Sequence, residues 1–194
     1  MRLGALRQAT PPVVKGGKNS MGFNHPITPP VVKGGKMIEW YSNKKVKIYF
    51  DCYPYIATRY FVPSMSEIER KSVEKYPFIN KKDLSVCLVD RKKAKEYRFK
   101  INKGYCFDGA SIPRLFWRVI GSNTDNMYLI PAMIHDVLCE NHQYVDNDRR
   151  FSTEVFNALL EANKVCVFKR FWMKHSVNLF QAGFCHWKGG KCGG

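Results

Sequence analysis

DLSVCLVDRKKAKEYRFKI, residues 83–101, contains two strand-like runs joined by the charged turn RKKAK. Two more runs rich in β-branched and aromatic residues precede it, KVKIYF at 45–50 and YIATRYFVP at 55–63. Such composition is typical of strands. After the second of these runs, residues 64–76 (SMSEIERKSVEKY) match a short amphipathic helix with a serine cap. The first half of the folded part is therefore predicted to be antiparallel sheet.

The second half of the chain is predicted to be helical. After Pro113 the sequence indicates a short helix over Leu115–Ile120 and a long apolar one over Met127–Glu140. Two further helices are predicted over Ser152–Ala162 and Phe168–Phe184. Strands that come first and helices that come later indicate an α+β fold. The residues expected to face inward are Val155, Phe156, Leu159 and Leu160 in the third helix, and Phe171, Trp172, Val177, Leu179 and Phe180 in the last.

Composition divides the chain into three parts. TPPVVKGGK occurs at 10–18 and again at 28–36, and two copies are too few for a repeat architecture. We therefore expect residues 1–36 to be a disordered repeat tail, residues 37–188 a single α+β domain, and residues 189–194 a flexible tail.

The repeat tail has two interpretations. Lys-Gly-Gly-Lys can be encoded by a bacterial ribosome-binding sequence, and a methionine follows each copy closely, at Met21 and Met37. One hypothesis is that Met37 is the biological start and that residues 1–36 are translated upstream sequence. The other is a genuine basic tail that binds a partner.

Charge and cysteine content narrow the classes of partner and compartment. The net charge is +16, and the six basic residues of 1–36 account for only part of it. This excess favours nucleic acid, anionic lipid or an acidic protein surface. Seven scattered cysteines without a CxxC pair favour reduced thiols. We see no signal-peptide pattern and no apolar run long enough to span a membrane.

The loop FDGASIP, residues 107–113, and the helix AMIHDVLCENH, residues 132–142, carry the candidate chemistry. Asp108 leaves a strand, and Gly109 permits backbone conformations that other residues avoid. Adjacent helical residues point about 100° apart, so His135 and Asp136 are expected to face different tasks. Asp136 is predicted to join Asp108 and the carbonyl groups around Gly109 in a calcium site, since calcium prefers oxygen ligands. His135 would be a general base beside it.

These two motifs, Asp-Gly-Ala-Ser-Ile-Pro followed by Ala-x-x-His-Asp, resemble a phage and prophage family catalogued as domain of unknown function 1353. The resemblance extends over about residues 38–184. It implies an accessory protein of tailed phages, located in the cytoplasm of an infected bacterium or in the virion. It assigns no chemistry.

A weaker resemblance, to secreted phospholipases of the prokaryotic type, does imply chemistry. It makes Asp108 and Asp136 calcium ligands and His135 the base that activates water, with calcium polarising an ester carbonyl. The aspartate that should orient the histidine falls at Thr153, which lacks a carboxylate. Asp148, Asp146 or Glu154 are the candidate substitutes. The implied activity is a calcium-dependent lipid esterase at an anionic membrane surface.

Several alternatives remain open. Cys139, one turn after His135, and His142 could belong to a metal site. Cys106 could be a nucleophile that His135 activates. The basic, aromatic segments 95–105 and 168–175 could bind nucleic acid. Finally, His135 and Asp136 could be a polar network that locks the helices in a non-enzymatic phage accessory protein, whose partners would be other phage proteins.

Overall fold

A computed structural model describes residues 31–32, 35–109 and 125–184, with side chains over 36–109 and 125–179. Its main sheet has four antiparallel strands in the order β3-β4-β7-β8, and a smaller antiparallel sheet has the order β5-β6-β9. The strands are β1 (Val31–Val32), β2 (Gly35–Lys36), β3 (Ile38–Ser42), β4 (Val46–Phe50), β5 (Ile56–Thr58), β6 (Phe78–Asn80), β7 (Leu84–Asp90), β8 (Lys95–Ile101) and β9 (Cys106–Phe107).

The hairpin predicted from residues 83–101 is confirmed. β7 lies between β4 and β8 and is buried along most of its length, as its continuous apolar run requires. β8 is an edge strand, and it alternates exposed charged residues with buried Tyr97, Phe99 and Ile101. This period of two places one face of β8 in the core and the other in solvent. The turn between the strands closes on Ala94, which has φ 49.

In the described part of the chain, four α-helices follow or interrupt the strands. The predicted serine cap of α1 is confirmed, because Ser66 accepts from the Glu69 N–H and Glu69 accepts from the Ser66 N–H. This reciprocal capping box fixes where the helix begins. The α+β prediction is confirmed as well. The helices are α1 (Glu67–Lys75), α2 (Asn126–Glu140), α3 (Arg149–Ala162) and α4 (Val167–Phe184), with a 3-10 turn over His142–Val145.

The helices cover one face of the main sheet. Tyr97 of β8 packs against Phe151 of α3 with ring centroids 5.2 Å apart, and Phe99 stacks on Tyr144 at 5.1 Å. α2 packs on α3, and α3 in turn on α4. Among the described residues, no helix combines the length and apolar character needed to cross a bilayer. The predicted inward face of α3 is confirmed, since Val155, Phe156, Leu159 and Leu160 are all buried.

The predicted inward face of α4 is partly wrong. Phe171 and Leu179 are 52% and 78% exposed, whereas Met173 is fully buried. Trp172 and Val177 pack against the core as predicted. The expectation for Phe180 lies outside the described side chains. α4 packs on α3 along one narrow face, so its many apolar residues exceed the surface available to bury them.

Two other predictions concern residues that lie wholly or mostly outside the described part of the chain. The short helix predicted over Leu115–Ile120 lies outside it, as do residues 1–30. Within the segment predicted to be disordered, Val31–Val32 pairs with Gly35–Lys36, and disorder of the repeat tail stays a prediction. The five cysteines that the structure describes are all free thiols, in agreement with the prediction: Cys52, Cys87, Cys106, Cys139 and Cys166.

Candidate functional site

Asp108 is positioned by the smaller sheet. β9 pairs with the central strand β6, and the chain leaves β9 directly into Asp108. Gly109 follows with φ 90, in the region that glycine adopts readily and other residues avoid. The expectation that this glycine provides an unusual backbone geometry is thereby confirmed. The turn presents the Asp108 side chain to solvent.

Asp136 of α2 lies at the same place as Asp108. Both line one cleft of about 180 Å³. Glu140, one turn after Asp136 on the same side of α2, also lines it. We call this feature the acidic cleft. Its lining residues are Tyr76, Cys106, Phe107, Asp108, Asp136, Cys139 and Glu140. The loop carboxylate and the helix carboxylate thus line the same cleft.

The carboxylates of the acidic cleft influence one another. Burial, followed by the negative charge of Asp108, raises the pKa of Glu140, and this effect exceeds the opposing one of the Tyr105 hydroxyl. Burial also raises the pKa of Tyr105, and the charges of Glu140 and Asp136 add to that rise. The phenol therefore stays protonated, although among the described residues its buried hydroxyl has no hydrogen-bond acceptor. These interactions make the cleft electrostatically negative within a basic protein.

The donor set of the acidic cleft only partly fits a metal ion. Carboxylates suit calcium, and the backbone at Phe107 and Gly109 offers carbonyl oxygens. However, within the described residues no three His, Cys, Asp or Glu side chains converge closely enough to hold a metal. The alternative metal site with Cys139 and His142 likewise lacks a group of three such side chains among the described residues. A calcium site at Asp108, Gly109 and Asp136 therefore stays a prediction.

His135 is buried in the helical layer beside the acidic cleft, in contact with its lining residues Asp136 and Cys139. Its side chain is 8% exposed, and its ring lies 5.2 Å from that of Phe156 in α3. Burial lowers its pKa to about 4, so the imidazole is neutral at physiological pH. The Cys139 sulfur lies 3.5 Å from Nε2. His135 does not appear among the lining residues of the cleft, whereas the general-base role requires contact with a substrate.

His135 and Asp136, for which the sequence predicts different tasks, lie close together in the structure. Their Nδ1 and Oδ1 atoms are 3.6 Å apart. Successive helical side chains leave the backbone in different directions, but both of these side chains are long enough to bend towards each other. Asp136, with a side chain that is 21% exposed, therefore contacts the buried imidazole and also reaches the cleft.

The candidate orienting groups have partners of their own. Thr153 is buried, and its hydroxyl donates to the Arg149 carbonyl at 3.0 Å, one turn back in α3. Asp148 is the N-cap of α3, accepts from the Phe151 N–H at 3.0 Å and pairs with Lys93. The two other carboxylates are also occupied by lysines: Asp146 pairs with Lys95, and Glu154 with Lys45 and Lys174.

Sequence reasoning missed Glu140 and Tyr105 as members of the site. A signal for Glu140 was present, since it follows Asp136 by four residues and must share its side of the helix. Tyr105 carries no comparable signal, because its approach to α2 depends on tertiary packing. Cys106, expected beside His135, lines the cleft instead, and Cys139 is the thiol that meets the imidazole.

Three comparisons place the chain among known proteins. Residues 85–177 match the family model described as "Protein of unknown function (DUF1353)". An uncharacterized protein, y4jT, of Sinorhizobium fredii is 37% identical over 51 residues, which cover 26% of this chain and 15% of that protein. The chain thus spans a small part of the length of this relative. No solved structure matches the chain.

Proposed function

We propose that the chain, whose residues 85–177 match the DUF1353 family model, is a non-enzymatic accessory protein of a tailed phage or prophage. In this role His135 and Asp136 stabilise the fold and do not act on a substrate. The observation that carries the proposal is the burial of the His135 imidazole between α2 and α3. A base that is closed off from solvent and from the neighbouring cleft has no route to a water molecule or an ester.

Two further contacts support the structural role of His135. The ring contacts Phe156 on one side, and the Cys139 sulfur on its own helix. A neutral imidazole can donate from one nitrogen and accept at the other, so it satisfies polar neighbours without bringing a charge into the core. Such a network fixes the register of α2 on α3. The partners we propose are other phage proteins, in the infected cytoplasm or in the virion.

The experiment compares His135→Ala with His175→Ala, which removes an exposed histidine from α4. Chemical unfolding should show that His135→Ala lowers the free energy of unfolding by about 2 kcal/mol or more, as core truncations do. His175→Ala should change it by less than about 0.5 kcal/mol. Calcium should leave the melting temperature of the parent chain unchanged. A His135→Ala protein as stable as the parent would contradict the proposal.

A second candidate is a calcium-dependent, phospholipase-like ester hydrolase. The observation that favours it is the meeting of Asp108 and Asp136 in one cleft. Those carboxylates, with the Gly109 backbone, would hold calcium, and calcium would polarise the ester carbonyl. His135 would have to reach the cleft to activate water, with Thr153 or Asp148 orienting it. The basic charge of the protein would attract anionic lipid.

Calcium binding and ester hydrolysis test this candidate directly. The parent chain, Asp136→Asn and a control, Glu74→Gln, are titrated with calcium and assayed on vesicles of anionic phospholipid. Glu74 is an exposed carboxylate of α1. The hydrolase requires a calcium-dependent rise in melting temperature that Asp136→Asn abolishes and Glu74→Gln preserves. It also requires release of fatty acid by the parent chain. Absence of both results would eliminate the hydrolase and leave the accessory role.

A further inference from the structure

Three chain segments meet at one end of the two sheets. The Lys81 N–H donates to the Tyr55 carbonyl at 2.8 Å, which joins the segment after β4 to the turn between β6 and β7. The Lys103 N–H donates to the Asp83 carboxylate at 2.8 Å, which joins the turn after β8 to the same place. The buried Asn80 side chain donates to carbonyls of both turns. These contacts hold the three segments in fixed positions relative to one another.

Two tyrosines project from this end of the molecule. Tyr53 is 71% exposed and Tyr55 is 55% exposed. The Tyr53 ring meets the Trp40 ring in a T-shaped contact, with centroids 5.2 Å apart. This contact restrains the ring in an orientation that leaves most of its surface in solvent. Exposed and restrained aromatic rings are suited to stacking on planar ligands, because little conformational freedom is lost on binding.

Three lysines belong to the segments that meet the tyrosines. Lys81, Lys82 and Lys103 are exposed, and none of them forms an ion pair with another described residue. Two carboxylates lie nearby: Asp83 pairs with Lys100, and Asp51 accepts from the Ser85 N–H. We call the set Tyr53, Tyr55, Lys81, Lys82 and Lys103 the lysine–tyrosine surface. It combines an excess of positive charge with exposed aromatic rings.

Among the described residues, the other basic, aromatic segments have more of their charge in ion pairs. Lys95 and Arg98 of β8 pair with Asp146 and Glu96. On α4, Arg170 pairs with Glu161 and Lys174 with Glu154, whereas Lys169, next to the exposed Phe168 ring, has no ion pair with another described residue. Nucleic-acid binding by segments 95–105 and 168–175 stays a prediction.

We propose that the lysine–tyrosine surface binds single-stranded nucleic acid. The lysines contact backbone phosphates, and the tyrosines stack on bases that a duplex would keep paired. A lipid surface fits less well, because membrane contact favours aliphatic side chains beside the aromatic ones. Ile38, which pairs with Phe50, is the exposed aliphatic residue at this end of the main sheet, whereas Val62 and Ile68 follow the far end of β5, where the Arg59 N–H donates to the Pro77 carbonyl.

The test uses the full chain and a fluorescein-labelled oligothymidylate of about twelve nucleotides, a length within the usual site size of such surfaces. Binding is measured by fluorescence anisotropy over a range of salt concentrations. Lys81→Gln/Lys82→Gln is compared with Lys44→Gln/Lys92→Gln, which removes the same charge. Lys44 and Lys92 are exposed in the turns after β3 and β7, at the opposite end of the main sheet.

The Lys81→Gln/Lys82→Gln protein should bind about tenfold more weakly, and its salt slope should fall by about 1.4, roughly 0.7 for each phosphate contact with a single strand. The control pair should change binding less than about threefold, through general charge alone. Tyr53→Ala/Tyr55→Ala should weaken binding about fivefold or more, and the parent chain should bind an abasic oligomer of the same length correspondingly more weakly.

Three results would overturn the proposal. One is an equal loss of binding in the two lysine pairs, which would mean a diffuse basic surface. Another is equal affinity for the oligothymidylate and the abasic oligomer, which would mean that no base is stacked. The third is loss of binding to phosphatidylserine vesicles in Lys81→Gln/Lys82→Gln while oligothymidylate binding is unchanged, which would assign the surface to a membrane. Circular dichroism confirms that each variant is folded.

Discussion

The Nε2 atom of His135 lies 3.5 Å from the Cys139 sulfur, one helical turn further along α2. A thiol is a weak donor and a weak acceptor, so it compensates a neutral imidazole far better than a charged one. Phe156 of α3 contributes only the face or edge of its ring. The Asp136 carboxylate, whose Oδ1 lies 3.6 Å from Nδ1, favours the charged form, but burial outweighs it and lowers the pKa of His135 to about 4.

This environment predicts a loss of stability in mild acid. The pKa of His135 is about 4 in the folded chain and about 6.5 in the unfolded chain, so the unfolded state binds the proton first as pH falls. The contribution of His135 is complete above pH 6.5 and is lost progressively down to pH 4. Between pH 7 and pH 5 the free energy of unfolding should fall by about 2 kcal/mol from this group alone.

Urea unfolding at the two pH values, in buffers that contain EDTA, measures this change. His135→Phe keeps a ring in the pocket and removes the titrating group. Between pH 7 and pH 5 its free energy of unfolding should therefore fall by about 2 kcal/mol less than that of the parent chain. His175→Phe is the control, because residue 175 is exposed. If the His135→Phe protein loses as much stability as the parent, the imidazole is accessible to solvent and the structural role is wrong.

The acidic cleft predicts the opposite effect for Glu140. Burial and the charge of Asp108 raise the pKa of Glu140, so the folded state resists its ionisation. Ionised Glu140 therefore destabilises the fold at neutral pH, and this penalty disappears as pH falls below its folded pKa. Glu140→Gln should raise the melting temperature at pH 7 and have little effect near pH 4. Glu74→Gln, at an exposed site of α1, should show no such pH dependence.

Carboxyl NMR gives a direct measurement of the same interaction. Asp108→Asn should lower the pKa of Glu140, because it removes a negative charge that faces it. Tyr105→Phe should raise that pKa, because the Tyr105 hydroxyl favours the charged form. If neither substitution changes the pKa of Glu140, the carboxylates do not share a cleft in solution.

The sequence predicted the parts of this site that depend on local geometry. Asp108 follows a strand and precedes a glycine, and Asp136 lies in a long apolar helix. Each placement follows from short-range patterns, and the structure brings the two into one cleft. The direction in which His135 points could not be predicted in the same way. On a helix buried on several sides, the hydrophobic pattern is nearly uniform and does not distinguish a cleft from a helix interface.

Strand pairing was equally hard to predict from the sequence. YIATRYFVP has strand composition throughout, yet only Ile56–Thr58 pairs with β6. The Arg59 N–H still donates to the Pro77 carbonyl, but the β6 partner ends there, and Tyr60, Phe61 and Val62 are exposed. Composition reports a tendency to extend, whereas pairing depends on whether a neighbouring strand continues.

Asp148 provides a prediction that separates a structural from a catalytic role. Burial acts to raise its pKa, but Lys93 and the Phe151 N–H outweigh burial, and the pKa lies below the usual range. Asp148→Ala should lower the free energy of unfolding by about 1 kcal/mol through loss of the helix cap. Asp148→Asn keeps a capping oxygen and should lower it by about half as much. If Asp148→Asn instead abolishes a measured activity at unchanged stability, the residue belongs to a catalytic site.

The exposed face of α4 yields a prediction about packing. Met173 is fully buried, while Leu179, two turns away, is 78% exposed. Met173→Ala leaves a cavity in the core and should lower the free energy of unfolding by about 2–5 kcal/mol. Leu179→Ala removes a side chain that contacts mainly water and should change it by less than about 0.5 kcal/mol. Urea unfolding of the two proteins in parallel measures the difference. A cost above about 2 kcal/mol for Leu179→Ala would show that a partner or another copy of the chain covers this face in solution, because an uncovered leucine cannot contribute so much.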